Sequence, residues 1–246
     1  MTTASLSPAV GFKSPTGYLV FDLESVPDAA LYDPPPVAPG QERPFAPLYA
    51  QQVVVIGALW LDPGYRARRL WVVEGDDERS LLQGLSDFIQ HHRPVLVTFN
   101  GWGFDLPVVM LRALHHGLAM PWYFEEQRYR DRRDEEGHVD LCDALALHGR
   151  RGLGLNMAAR LVGLPGKLSV DGSQVEPMYH AGELAAIQRY CLVDVAQTAL
   201  LLLRYRLLQG RLTRAEHDRA AADLFQALRQ DGRLGELLQA MTVDGE

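Results

Sequence analysis

Apolar and polar positions along this chain follow two rhythms. Residues 17–24 (GYLVFDLE), 51–61 (QQVVVIGALWL) and 67–75 (ARRLWVVEG) read as three strands. PGYR (63–66) between the last two is turn chemistry, so that pair forms an antiparallel hairpin. Leu81, Leu82, Leu85, Phe88 and Ile89 recur at helical spacing across 77–92. PVLVTFN (94–100) is continuously apolar, as a strand inside a sheet should be. A helix over 106–116, a strand over 137–145 and a helix over 155–164 follow, then a Gly/Pro/Ser-rich loop over 165–180. A long helix covers 182–208, and Thr213 with Glu216 forms a capping box that opens a terminal helical pair.

This order predicts an α/β fold. Its mixed sheet joins an antiparallel three-strand meander to parallel strands, with helices on both faces. Residues 1–16 read as a flexible arm, 17–212 as the main domain and 213–246 as a helical extension packed on it. Residues 26–47 are too rich in proline for helix or central strand and read as a long surface loop.

Composition narrows the picture. The chain has 246 residues, 47% of them hydrophobic, which suits one globular domain. No apolar run approaches the roughly 20 residues of a membrane span, and the N-terminus has no apolar signal core, so a cytoplasmic protein is expected. Cys142 and Cys191 lie in apolar runs and read as buried, reduced thiols. A net charge of −7 argues against coating nucleic acid by charge alone, while leaving room for an enzyme that holds one end of a strand.

Four acidic positions depart from the apolar pattern. Asp22 and Glu24 share a strand face, about 7 Å apart. Taken alone they read first as a polar strand end and second as carboxylates for a divalent cation. Asp105 in TFNGWGFDLPVV (98–109) opens a helix after Gly101 and Gly103 let the chain turn, and a plain N-cap fits it equally well. Asp194 lies in the apolar helix IQRYCLVDVAQTALLL (187–202), one turn after Tyr190. A buried carboxylate there needs a partner, and a cation would supply one.

FDLES, NGWGFD and YCLVD, in this order, resemble the three motifs of the DEDD 3′→5′ exonucleases with the ribonuclease H-like fold. HVDLCDAL, LVGLPGK and DGSQVEPMYHAG make the chain similar to stand-alone exonucleases related to the proofreading domain of family B DNA polymerases. The resemblance spans roughly residues 17–215. Tyr at 190, with Arg at 189, places the chain in the tyrosine branch.

The resemblance implies a ribonuclease H-like sheet and catalytic residues Asp22, Glu24, Asp105, Tyr190 and Asp194. It implies two divalent cations, magnesium or manganese: Asp22, Glu24 and Asp194 on one, Asp22 bridging to a second that Asp105 holds through water. Tyr190 would orient the attacking water. The implied substrate is the 3′ end of single-stranded nucleic acid, DNA ahead of RNA, with a polymerase or repair partner in trans. Leu23 (by its N–H), Ser25, Asn100, Trp102, Phe104, Lys167 and Gln174 are candidate substrate contacts, with Asp171 beside them. Phe104 reads more readily as core.

His91–His92 and His115–His116 sit at expected helix C-termini, where the dipole favours them, and adjacent side chains diverge too far to ligate together. EEQRYRDRRDEEGH (125–138) reads as a solvated mixed-charge loop whose arginines remain available to phosphates. An RNA-directed exonuclease, a small-nucleotide phosphoesterase and a non-catalytic binding module of the same fold are the rival readings. A missing acid would favour the last, and none is missing.

Overall fold

A computed structural model describes residues 16–36, 44–147, 153–166 and 172–243, with the backbone alone for 242 and 243. Its sheet has the order β3-β2-β1-β4-β5. Strands β1 (Tyr18–Pro27), β2 (Gln51–Leu61) and β3 (Ala67–Val72) form the expected antiparallel meander. Strands β4 (Val95–Thr98) and β5 (His138–Asp140) add in parallel. Alternation along β1 divides the core. Tyr18 and Val20 face one layer, while Leu19, Phe21 and Leu23 face the other.

Helices α1 (Glu78–His92), α2 (Asp105–His116) and α3 (Pro121–Glu125) cover the Leu19 face. The Val20 face is covered by α5 (Leu155–Leu161), α7 (Leu184–Leu208), α8 (Arg214–Asp231) and α9 (Gly235–Val243). Two short helices, α4 (Leu141–Leu145) and α6 (Val175–His180), complete the set among the described residues. The Thr213–Glu216 capping box is present at the start of α8. Leu224, Leu228 and Leu237 of the terminal helices, with Leu234 of the turn between them, share a core with Val20 and Leu59. No helix among the described residues is long and apolar enough to cross a membrane.

Five expectations are corrected. β1 runs three residues past Glu24, paired to β2 as far as Pro27 around a bulge at Glu24/Ser25, so the two acids lie inside the strand. Residues 137–145 are not one strand. β5 stops at Asp140, whose carboxylate caps α4 by accepting the N–H groups of Cys142 and Asp143. The 165–180 loop contains α6, because Val175 is buried against Val26, Val55 and Cys191. The 125–138 segment is not merely solvated. Arg128 donates to the carbonyls of Arg93, Pro94 and Glu136, Arg132 pairs with Asp143 at 2.7 Å, and Glu135 pairs with the buried Arg206. A guanidinium fork matches the carbonyls left over where α1 ends and β4 begins, so Arg128 is spent there and not offered to phosphates. Cys142 is also only half-buried, whereas Cys191 is buried, and both are free thiols.

A buried ion cluster fixes the segment that follows β1. Glu78 accepts from Arg112 through both oxygens, at 2.8 and 2.6 Å, and from the Val53 N–H at 2.7 Å. Arg112 also reaches Asp28 at 2.8 Å and the Tyr49 carbonyl at 3.2 Å. β3 pairs only with Gly57–Leu61, so Val53 has no strand on its far side and Glu78 substitutes for one. Every charge in the cluster meets an opposite charge or a hydrogen bond, which is what makes burial of this pair tolerable. His116 joins it through Glu78 at 2.7 Å, and His91 and His92 end α1 as expected.

Candidate active site

The period of β1 that puts Val20 against α7 carries Asp22 and Glu24 to the same face. There they meet Cys191 of α7, and ligand atoms of these three residues lie within 4.8 Å of one another. The Cys191 Sγ stands 3.4 Å from the Asp22 carbonyl oxygen and 3.7 Å from its Oδ2. Close approach of α7 depends on Gly57, which pairs with Asp22 across the sheet. A Cβ at position 57 would come within 2.9 Å of the Cys191 Sγ. Tyr190 and Asp194, one turn apart on α7, are hydrogen-bonded to each other.

Asp105 arrives from the other layer. β4 pairs with β1 only as far as Val20, and the chain then leaves the sheet through residues 99–104. Asn100 turns it in the left-handed region at φ 71°. Gly101 and Gly103 have no room for a side chain: a Cβ would stand 2.1 Å from Thr98 Oγ1 or 2.4 Å from Asn100 Oδ1. Asp105 is the first residue of α2 and not its cap. Phe104 holds the cap position and makes no side-chain bond there. The Asp105 side chain turns instead towards β1, where the Leu23 N–H, together with its own N–H, favours the ionised carboxylate. Asp105 is 2% exposed, and its Oδ1 has no hydrogen-bond partner.

These carboxylates stand too close together to ionise freely. Burial raises the pKa of Asp22 well above the ordinary range, and the charges of Asp105, Glu24 and Asp194 raise it further. Glu24 is raised by burial, then by Asp194 and Asp105. Asp105 is pushed up to about 7, by burial first and by Asp140 next, against the pull of its own and the Leu23 N–H groups. An orphaned, buried carboxylate oxygen among hard oxygen donors fits a divalent cation.

The sign of these shifts gives a prediction. An acid whose folded-state pKa is raised binds more protons folded than unfolded, so its stabilising contribution is complete near pH 4 and is lost as pH rises towards 7. In EDTA, Asp105→Asn is expected to melt above the wild-type protein at pH 7.5. That advantage should shrink as pH falls to about 4, where the wild-type carboxyl is itself protonated. Melting curves of both proteins across this range check it, and a difference that does not change with pH would contradict the shift.

Asp140 is a residue that the sequence reading passed over. Buried at the end of β5, it accepts the Asn100 N–H through Oδ1 and the Trp102 N–H through Oδ2, both at 2.9 Å, while also capping α4. It thus clamps the turn that delivers Asp105. Beside it, burial pushes His138 down to about 3, so its neutral ring can bond Thr98 Oγ1 at 2.7 Å, and Trp102 packs on it. The cap half of this role was readable, since Asp140 immediately precedes an apolar run. Asp140→Ala should strand several buried N–H groups at about 1–3 kcal/mol each. It is expected to lower the urea midpoint clearly and to reduce any activity of the site at least about tenfold, with Asp140→Asn in between. A midpoint unchanged within error would show that the clamp is dispensable.

The remaining candidates are spread around this centre. The Ser25 hydroxyl donates to Gln51 Oε1 at 2.8 Å, and Gln51 in turn holds the Ala46 carbonyl, so Ser25 secures segment 44–50. Asn100 is exposed and Trp102 half-buried on the turn into Asp105. Phe104 is half-buried against the α1–α2 core, and exposed Phe45, which the sequence reading did not single out, lies against it with ring centres 5.8 Å apart. Gln174 is exposed at the start of α6. Lys167 and Asp171 fall outside the described residues. Beside Tyr190 and Asp194 a cleft of about 430 Å³ opens between α7 and the Gly154–Met157 end of α5.

Three comparisons with known proteins bear on this arrangement. Residues 43–241 match a family described as predicted 3′-5′ exonucleases related to the exonuclease domain of PolB. The match includes Asp105, Tyr190 and Asp194 and begins after β1, so Asp22 and Glu24 join them through the sheet register. A comparison with curated proteins gives no match. Among solved structures, the chain is similar to the family B DNA polymerase from the hyperthermophilic archaeon Pyrobaculum calidifontis, at 21% identity and a TM-score of 0.55. The alignment covers 80% of this chain and 25% of the polymerase, and it bears out the ribonuclease H-like sheet. With a family match over most of its length and the fold to go with it, the chain belongs to the predicted 3′-5′ exonucleases related to the exonuclease domain of PolB.

Proposed function

We propose that this protein is a metal-dependent 3′→5′ exonuclease that releases nucleoside monophosphates from the 3′ end of single-stranded nucleic acid, DNA in preference to RNA. The observation that carries this reading is the meeting of Asp22, Glu24, Asp105 and Asp194, with an orphaned oxygen on Asp105, beside the middle of β1. Asp22, Glu24, Asp105 and Asp194 would hold two divalent cations, magnesium or manganese, which when bound supply charge neutralisation and a more acidic water.

The protein's own groups do the positioning. Burial, then the charges of Asp194, Glu24 and Asp22, keep the Tyr190 phenol far above its ordinary pKa. It stays protonated at neutral pH, so it orients a water by hydrogen bonding and does not act as a base. Asn100, Trp102 and the Phe45–Phe104 pair flank Asp105 and offer surfaces for the terminal bases, where stacking contributes about 1–3 kcal/mol per base. The family's relation to a polymerase domain supports a polymerase or repair partner in trans.

The test uses purified protein with 5′-labelled single-stranded DNA and RNA, in magnesium or manganese and in EDTA. Shortening from the 3′ end, faster on DNA and absent in EDTA or on a 3′-phosphate end, is expected. Full activity in EDTA, or shortening from the 5′ end, would overturn the assignment, and faster loss of RNA would move it to an exoribonuclease.

A further inference from the structure

Gln197 has no role in the chemistry described so far. It lies three residues after Asp194 and seven after Tyr190, so the three side chains share one face of α7. All three line the cleft between α7 and α5. Gln197 is 1% exposed, and its carboxamide oxygen has no hydrogen-bond partner. Its neighbours Val195, Ala196, Ala199, Leu200 and Leu201 are all buried and apolar. A leucine or methionine here would suit the helix and the core, and would leave no polar atom unsatisfied. A buried acceptor without a donor, at the floor of a cleft that also holds Tyr190 and Asp194, points to a donor that arrives with a ligand.

We propose that Gln197 is a substrate-binding residue in a nucleoside subsite between α5 and α7, its carboxamide accepting a hydrogen bond from the 3′-terminal nucleotides. This rests on the nuclease reading above. Near its 3′ end a nucleic acid carries few donors, namely the 3′-hydroxyl, the 2′-hydroxyl of ribose, and the N–H groups of the bases. Gln197 lines the cleft beside Tyr190 and Asp194, where its carboxamide would meet such a donor. The opposite wall is Leu155, Asn156 and exposed Met157, and the Leu155 and Met157 side chains suit the flat side of a sugar or base.

The experiment measures binding of 5′-fluorescein-labelled single-stranded oligonucleotides in calcium, together with cleavage in manganese, for the wild-type protein and Gln197→Met. The variant is expected to bind about five- to tenfold more weakly, the scale of one lost hydrogen bond. Its manganese affinity should be unchanged, and its melting temperature in EDTA equal or higher. Oligonucleotides lacking the terminal 3′-hydroxyl, carrying ribose or deoxyribose, or with the last two bases removed identify the donor. The modification that weakens wild-type binding should have no further effect on Gln197→Met. Equal affinity and cleavage in the two proteins would make Gln197 a core residue and overturn the inference while the nuclease reading stands. A marked fall in melting temperature for both Gln197→Met and Gln197→Leu would make it structural and overturn it as well. A wild-type protein that neither binds nor shortens any oligonucleotide would defeat the nuclease reading itself.

Discussion

Asp22→Ala is expected to abolish 3′-end cleavage, by roughly a thousandfold or more, while the protein remains folded. A loss of that size corresponds to about 4 kcal/mol of transition-state stabilisation. Asp22 sits where the charges of Asp105, Glu24 and Asp194 all act on it, so no neighbour can take over its position. The same crowding predicts the direction of the stability change. Without a cation, removing one of several mutually repelling carboxylates relieves strain, so the melting temperature in EDTA should hold or rise. With manganese present, the wild-type protein should gain stability that Asp22→Ala does not, because a ligand that binds only the folded state stabilises it. Cleavage assays and melting curves with and without manganese separate these effects. A clear drop in melting temperature in EDTA would instead make Asp22 a structural residue.

Tyr190→Phe is expected to lower kcat by roughly tenfold to a thousandfold with little change in KM. The phenol contributes a hydrogen bond and not a charge, and the ring keeps its place beside the small Val26–Cys191 core. Folding and manganese affinity should therefore survive. Asp194→Asn makes the contrast, since it removes a ligand charge while its amide oxygen can still accept from the Tyr190 hydroxyl. Single-turnover cleavage and manganese binding of both variants distinguish the two roles. Wild-type cleavage by Tyr190→Phe would remove the tyrosine from the reaction, and a loss of manganese as severe as in Asp194→Asn would make it a part of the cation site.

What the sequence determined by itself is what depends on near neighbours. A period of two puts Asp22 and Glu24 on one face, and a spacing of four puts Tyr190 beside Asp194, whatever surrounds them. The Thr213 capping box and the PGYR hairpin are likewise local, and both are present. Tertiary structure decided the rest. The length of β1 depends on β2, which goes on pairing past Glu24. The end of β5 depends on Asp140, whose carboxylate finds N–H groups 40 and 38 residues away at Asn100 and Trp102 as well as at the start of α4. Asp105 was readable as an acid opening a helix. That it leaves the cap position and turns to the Leu23 N–H follows only from β4 ending short of it. Arg128 and Glu135 looked solvated because their partners, the carbonyls of Arg93 and Pro94 for the first and the Arg206 side chain for the second, are far away in the chain. Gln197 was one polar letter in an apolar helix until the fold set it beside Asp194 with its oxygen unmatched. Periodicity fixes which way a side chain points, whereas its hydrogen-bond partner is fixed by which distant segment packs opposite, and that is settled only when the layers close.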